Sequence, residues 1–159
     1  MRIGTGWDVH SLAEGRKFIL GGIVIPSEQG EVAHSDGDVL VHAIIDAILG
    51  ALAKGDIGSH FPDTDPAFKD ADSLQLLTHV LTEDLPPYSI EHIDTTVIVQ
   101  RPKLRDHIDA IRENLAKTMH LEISQVSVKA KTAEGILGEL GTAEAVMAQA
   151  VVLISQNPC

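Results

Sequence analysis

The sequence predicts an α+β fold, with helices packed on one face of a mixed β-sheet, and three features carry that prediction. The opening stretch alternates like strand and hairpin, a long apolar helical run begins near Asp38, and the chain closes on two strand-like segments after further helices. Arg2 to Val9 is the first predicted strand. Lys17-Phe18-Ile19-Leu20 and Ile23-Val24-Ile25-Pro26 flank Gly21-Gly22, a pair whose backbone freedom suits a tight hairpin. Gly4-Thr5-Gly6 lacks the third, helix-opening glycine that a dinucleotide fingerprint needs, so a Rossmann reading is rejected.

Asp38 to Ala53 reads as a helix, capped by Ser35 or Asp36, with Ser35-x-x-Asp38 resembling a capping box. Apart from Asp38, His42 and Asp46 it is apolar all round, so it is expected to be buried on most sides, in the core or partly in an oligomer interface. Lys54 to Asp70, broken by Gly55, Gly58, Pro62 and Pro66, reads as a loop of about seventeen residues, a length usually associated with function or disorder. Ser73 to Asp84 is a second helix with Leu74, Leu77 and Leu81 on one side, closed by Pro86-Pro87. Ile90 to Gln100 is a β-branched strand. A third helix runs from Leu104 to Met119 with Ile108, Ile111 and Leu115 as its apolar row. Gln125 to Ala130 is expected as a strand with Val126, Val128 and Ala130 inward, and Ala143 to Ser155 as the last strand, joined by the Gly-rich turn Gly135 to Gly141. This order suits a ferredoxin-like sandwich forming a single domain over residues 1–159.

Twelve basic against 23 acidic side chains give a net charge of −11, which argues against nucleic acid or anionic membrane as a partner and suits cations. One cysteine, Cys159, cannot form an intramolecular disulfide, and a reducing compartment follows. The chain enters strand-like sequence at once, without a secretory or transit pattern, and His42 and Asp46 interrupt its most apolar stretch. The expectation is a soluble cytoplasmic protein of bacterial type; a mature plastid protein has the same appearance.

Asp8 and His10 are two apart near the end of a predicted strand, so their side chains leave one face of it. With His42 they form a nitrogen/oxygen set of the kind used by catalytic zinc, which keeps a fourth position open. Asp38, His42 and Asp46 recur every four residues, and Asp46 is expected to accept from the free ring N–H of His42, as carboxylates do behind metal-bound histidines. Asp38 either competes for that role or favours the helix N-terminus. His34-Ser35-Asp36-Gly37-Asp38 sits where helix N–H groups attract anions, or is a plain capped terminus. Lys129-Ala130-Lys131-Thr132-Ala133-Glu134 is either a solvated edge or a second locus for anion and metal.

Asp8-Val9-His10, His34-Ser35-Asp36-Gly37-Asp38 leading to His42, Gly55-Asp56-Ile57-Gly58, Phe61-Pro62-Asp63-Thr64-Asp65, Val128-Lys129-Ala130 and Thr132-Ala133-Glu134, in this order, together resemble the 2-C-methyl-D-erythritol 2,4-cyclodiphosphate synthases of the non-mevalonate isoprenoid pathway. The resemblance spans nearly the whole chain. It implies a homotrimer with active sites between subunits, zinc on Asp8, His10 and His42, and magnesium or manganese on Glu134 with the substrate diphosphate. The implied substrate is a cytidine diphosphate ester of methylerythritol 2-phosphate, closed to a cyclic diphosphate with release of CMP. His34 and Thr132 would stabilise developing charge and His34 with Ser35 would contact phosphate. Asp56, Ile57 and Gly58 would hold the methylerythritol hydroxyls, and Phe61, Pro62, Asp63, Thr64 and Asp65 would line that pocket. Val99, Gln100, Arg101, Pro102, Lys103, Leu104 and Arg105, with Lys131 and Thr132, would contact the cytidine. Asp8, His10, Ala133 and Glu134 complete the substrate-binding set. The chain departs from the family pattern at Glu139-Leu140-Gly141-Thr142-Ala143-Glu144, where Thr142 replaces an arginine that faces the trimer axis, so retention of an isoprenoid diphosphate there is not expected. Two other readings stand beside this one: a zinc hydrolase, and a catalytically silent metal-binding module.

Overall fold

The computed structural model describes residues 1–62, 64–65 and 71–157. Strands β1 (Arg2–Glu14), β4 (Gln29–Val32), β5 (Tyr88–Val99), β6 (Val126–Lys131) and β7 (Ala145–Gln156) form one five-stranded sheet in the order β4-β1-β7-β5-β6. All neighbours are antiparallel except β5 and β6, which run parallel. β2 (Phe18–Leu20) and β3 (Ile23–Ile25) make a separate hairpin whose turn residues Gly21 and Gly22 both take positive φ, as a type I′ turn requires. The helices are α1 (Val39–Leu52), α2 (Ile57–His60), α3 (Ser73–His79), continued by a π-helical turn over Val80–Asp84, and α4 (Ile108–Met119), which a 3₁₀ turn over Arg105–His107 precedes.

The mixed α+β class is as the sequence predicts; the ferredoxin-like order is not. After β1 the core runs helix, strand, helix, strand, strand, and the α4 crossover makes β5 and β6 parallel neighbours, whereas a ferredoxin-like unit runs β-α-β-β-α-β. β1 extends five residues past Val9 because β4, which the sequence did not reveal, pairs with its far end from Ser11 to Glu14. The predicted loop contains the short helix α2, whose N-cap Asp56 accepts from Ser59 N at 2.8 Å. Ala130, expected inward, is exposed: it lies beyond Val128 on an edge strand and lines the wall of a cavity.

α1 packs across β1 and β7, and its burial on nearly all sides matches its composition. Two glycines let it come so close. A Cβ on Gly4 would sit 1.9 Å from Ala47 O, and one on Gly6 would sit 2.3 Å from Ala43 O, so helix and strand meet backbone to backbone. The close approach gives Gly4-Thr5-Gly6 its structural role.

The cap of α1 is Asp38, not Ser35 or Asp36, because a single buried carboxylate there serves two elements. Its Oδ1 accepts from Val41 N at 3.1 Å and Gly21 N at 3.0 Å, while Oδ2 accepts from Gly22 N at 2.7 Å. The hairpin turn is thereby latched to the helix start. Asp38→Ala is expected to cost about 3 kcal/mol, from about 1 kcal/mol for the cap and about 1 kcal/mol for each hairpin N–H left without an acceptor. Urea unfolding should show a lower midpoint with an unchanged slope.

The opposite face of the sheet carries no helix among the described residues and presents Ile3, Trp7 and Val9, with Trp7 62 % exposed. No helix among the described residues is long and apolar enough to cross a membrane.

Candidate metal centre

The alternation that turns Gly4, Gly6 and Leu12 toward the helices turns Asp8 and His10 to the same side. The first turn of α1, held down on β1 by those glycines, brings His42 to meet them. One carboxylate oxygen and two ring nitrogens from Asp8, His10 and His42 lie within 4.8 Å of one another. His10 Nε2 is 2.9 Å and His42 Nδ1 is 3.0 Å from Asp8 Oδ2, and the rings stand at 78° with centroids 5.1 Å apart. The outer nitrogens have their own partners, from which the tautomers follow. His10 Nδ1–H faces Gly37 O at 2.8 Å and Glu31 Oε2 at 2.9 Å. His42 Nε2–H faces Ser73 Oγ at 2.9 Å and Ser35 Oγ at 3.1 Å, and the Ser73 hydroxyl in turn donates to Asp36. With the outer nitrogens so occupied, the inner nitrogens are the ones that can offer lone pairs, that of His10 once it has given up its proton, and the donor set fits a divalent cation with an open position.

This network corrects the expected partner of His42. Asp46 lies one helical turn on, but its Oδ1 accepts from Ile57 N at 2.7 Å and so anchors α2; Ser73 from α3 takes the place behind the ring. Sequence spacing along one helix could not reveal a partner supplied by another. Glu31, only 3 % exposed, was also missed, since a lone acid in a four-residue strand carries no signal of burial.

Burial opposes charge on the Asp8 carboxyl, yet hydrogen bonds from His10 and His42 outweigh it and hold the group well below the usual carboxylate range. Burial likewise opposes charge on His10, but its contacts with Asp8 and Glu31 raise it to about 10. Burial pushes Glu31 up to about 8 against the hydrogen bond with His10. In the metal-free protein His10 and Glu31 are both raised far enough to hold protons at neutral pH, and a metal ion on the inner nitrogen of His10 displaces them. Binding at pH 7.5 is expected to release between about one and two protons per site, and affinity should rise as pH increases toward the raised pKa. Calorimetric titrations in buffers of different ionisation enthalpy measure the count; no proton release would contradict this charge state.

Asp8, His10, His34, Ser35, His42, Ile57, Gly58 and Phe61 line one cavity of about 310 Å³, with Ala33 and Leu76. Asp56 stands beside it as the cap of α2, Pro62 and Thr64 are exposed, Asp65 is half-buried, and Asp63 lies outside the described residues. A second cavity of about 560 Å³ gathers Val99, Pro102, Lys103, Leu104, Arg105, Lys131 and Thr132. Gln100 and Arg101 line a third, wider hollow of about 1050 Å³ with Thr132 and Thr142. Ala133 is buried; Glu134 is exposed with its carboxylate accepting from the Thr132 hydroxyl. Thr142 donates to Glu144 Oε2 at 2.7 Å. Within one chain, His34 and Thr132 therefore line different cavities.

The fold and the site define an α+β protein with a carboxylate–histidine centre for a divalent cation, opening on a pocket of small-molecule size. More particularly, the chain belongs to the YgbB family, whose model matches residues 1–155. It is 57 % identical over 155 residues to the 2-C-methyl-D-erythritol 2,4-cyclodiphosphate synthase of Trichlorobacter lovleyi, covering 97 % of this chain and 98 % of the relative. A solved 2-C-methyl-D-erythritol 2,4-cyclodiphosphate synthase in its CDP-bound form superposes with a TM-score of 0.88 at 38 % identity, covering 97 % of this chain and all of the other. The bifunctional IspDF of Campylobacter jejuni gives a TM-score of 0.92 at 40 % identity, with 98 % of this chain matching 42 % of that one.

Proposed function

We propose that the chain, as a single catalytic domain, converts 4-diphosphocytidyl-2-C-methyl-D-erythritol 2-phosphate to 2-C-methyl-D-erythritol 2,4-cyclodiphosphate and CMP, a phosphorus–oxygen lyase step of isoprenoid biosynthesis. The observation that carries this reading is the convergence of Asp8, His10 and His42 beside His34 and Ser35 in one cavity, in a chain so similar to synthases of that name. An oxygen of the 2-phosphate attacks the β-phosphorus, the bond to the CMP oxygen breaks, and CMP departs with that electron pair. The nucleophile is already an anion, so the task is to bring anionic groups together and align them.

Asp8, His10 and His42 would hold zinc, and Glu134 would hold magnesium or manganese together with the substrate diphosphate. Bound cations supply charge neutralisation and polarisation at the phosphoryl oxygens. His34 and Ser35 would hold phosphate, and Asp56, Ile57 and Gly58 the methylerythritol hydroxyls. Phe61, Pro62, Asp63, Thr64 and Asp65 would close the same pocket. Val99 to Arg105, with Lys131 and Thr132, would take the cytidine; Asp8, His10, Ala133 and Glu134 would complete the contacts.

His34 and Thr132 would act on one substrate across a subunit boundary in a homotrimer. Two features support that assembly: the two residues line different cavities of one chain, and the sheet face that carries no helix among the described residues offers Ile3, Trp7 and Val9 to bury. The acidic balance and the reaction both suit a cytoplasmic enzyme, with neither nucleic acid nor membrane as a partner.

Reaction in ¹⁸O-water separates this chemistry from hydrolysis. Cyclisation leaves both products unlabelled, whereas labelled linear phosphate would transfer the site to a metal hydrolase.

A further inference from the structure

We infer that Glu31 is a positioning residue of the metal centre, a buried carboxylate behind His10 that sets how tightly the site holds its cation by adding charge. The inference rests on the metal-centre reading of Asp8, His10 and His42. Glu31 Oε2 lies 2.9 Å from His10 Nδ1 and accepts from Val39 N at 3.0 Å, while Oε1 is buried without a hydrogen-bond partner among the described residues. The second acceptor on His10 Nδ1, Gly37 O at 2.8 Å, is enough to fix the ring and its tautomer. What Glu31 adds to a metal-bound ring is therefore charge.

An acid only 3 % exposed with an orphaned oxygen is costly to fold around, and a hydrophobic side chain would fill the place without that cost. A cation on the inner nitrogen, across the imidazole from Glu31, offsets it. Asp8 alone leaves a divalent cation with an excess positive charge; Asp8 and Glu31 together balance it. The same carboxylate makes His10 a more basic ligand, the effect that partners behind metal-bound histidines commonly have. The site is accordingly built to retain its ion at low free metal.

Glu31 also caps the first turn of α1 through Val39, so the test must separate charge from hydrogen bonding. Glu31→Gln keeps an acceptor for both Val39 N and His10 Nδ1 and removes the charge, placing an amide NH2 where Oε1 lies; Glu31→Asp keeps the charge and shortens the reach. Zinc affinity is measured by competition with a chromophoric chelator, the cobalt(II) absorption spectrum is recorded for each protein, and thermal unfolding of the metal-free forms serves as the control. E31Q is expected to bind zinc about 10- to 100-fold more weakly. Its cobalt bands should shift, its metal-free form should remain folded at the temperature of the titration, and E31D should bind more tightly than E31Q. Zinc affinity within twofold of the parent and an unchanged cobalt spectrum in E31Q would overturn the assignment while leaving the metal centre standing. A parent protein that binds neither zinc nor cobalt would instead remove the metal centre itself, and the role of Glu31 with it.

Discussion

Asp8→Ala is expected to lower turnover by about a thousandfold while leaving the protein folded. Asp8 Oδ2 is the atom on which both histidines converge, at 2.9 and 3.0 Å, so its removal takes away the only anionic ligand of the three and the point that gathers the other two. Charge neutralisation by a metal at a phosphoryl centre contributes several kcal/mol to a transition state, and about 4 kcal/mol corresponds to that thousandfold. The side chain is 29 % exposed and faces the cavity, so truncation opens no hole in the core. Metal content after dialysis should fall together with turnover, and circular dichroism should match the parent. An Asp8→Ala protein that kept its metal and more than a tenth of its activity would place the chemistry elsewhere.

Gly6→Ala is expected to push α1 off β1 and to weaken the metal centre with it. The new Cβ would lie 2.3 Å from Ala43 O, 2.6 Å from Ala47 N and 2.7 Å from Asp46 Cβ, and helix backbone cannot yield as a flexible side chain does. α1 must move away from β1, at a cost of about 3 kcal/mol, the upper part of the usual range for overpacking. In a chain of this size that lowers the melting temperature by roughly 6–12 °C. Because Ala43 adjoins His42, the same displacement carries the His42 ring away from Asp8, and metal affinity should fall with stability. A control substitution, Gly15→Ala, whose positive φ of 74° costs some stability but whose Cβ meets nothing within 4 Å among the described residues, should leave metal affinity unchanged. Gly6→Ala with a parental melting temperature would show that the strand–helix contact is not tight.

The candidate metal triad was legible in the sequence because it depends on local rules: strand alternation for Asp8 and His10, and a polar break in an apolar helix for His42. Their supporting residues were not, because each reaches the site through tertiary contact. Ser73 comes from α3 and Glu31 from β4, a strand too short and polar to announce itself, whereas Asp46, in the right place along α1, turns to Ile57 instead. Asp38 shows the same limit. Its capping role is local, but the latch to Gly21 and Gly22 depends on the hairpin folding back onto the helix. The mixed sheet could be anticipated from the order of elements, but the parallel pairing of β5 with β6 is a choice of crossover that periodicity does not encode. Gly4 and Gly6 carried a visible signal whose meaning was negative from sequence, not a nucleotide loop, and became positive only once α1 lay against them.

Metal-dependent cyclisation can be followed in a single phosphorus NMR time course. The protein is incubated with 4-diphosphocytidyl-2-C-methyl-D-erythritol 2-phosphate, zinc and magnesium, beside a chelated control. Two mutually coupled resonances of a cyclic diphosphate, rising in step with CMP and absent after chelation, are the predicted result. Equal turnover in the chelated sample, or accumulation of a linear phosphate in place of the cyclic product, would contradict it.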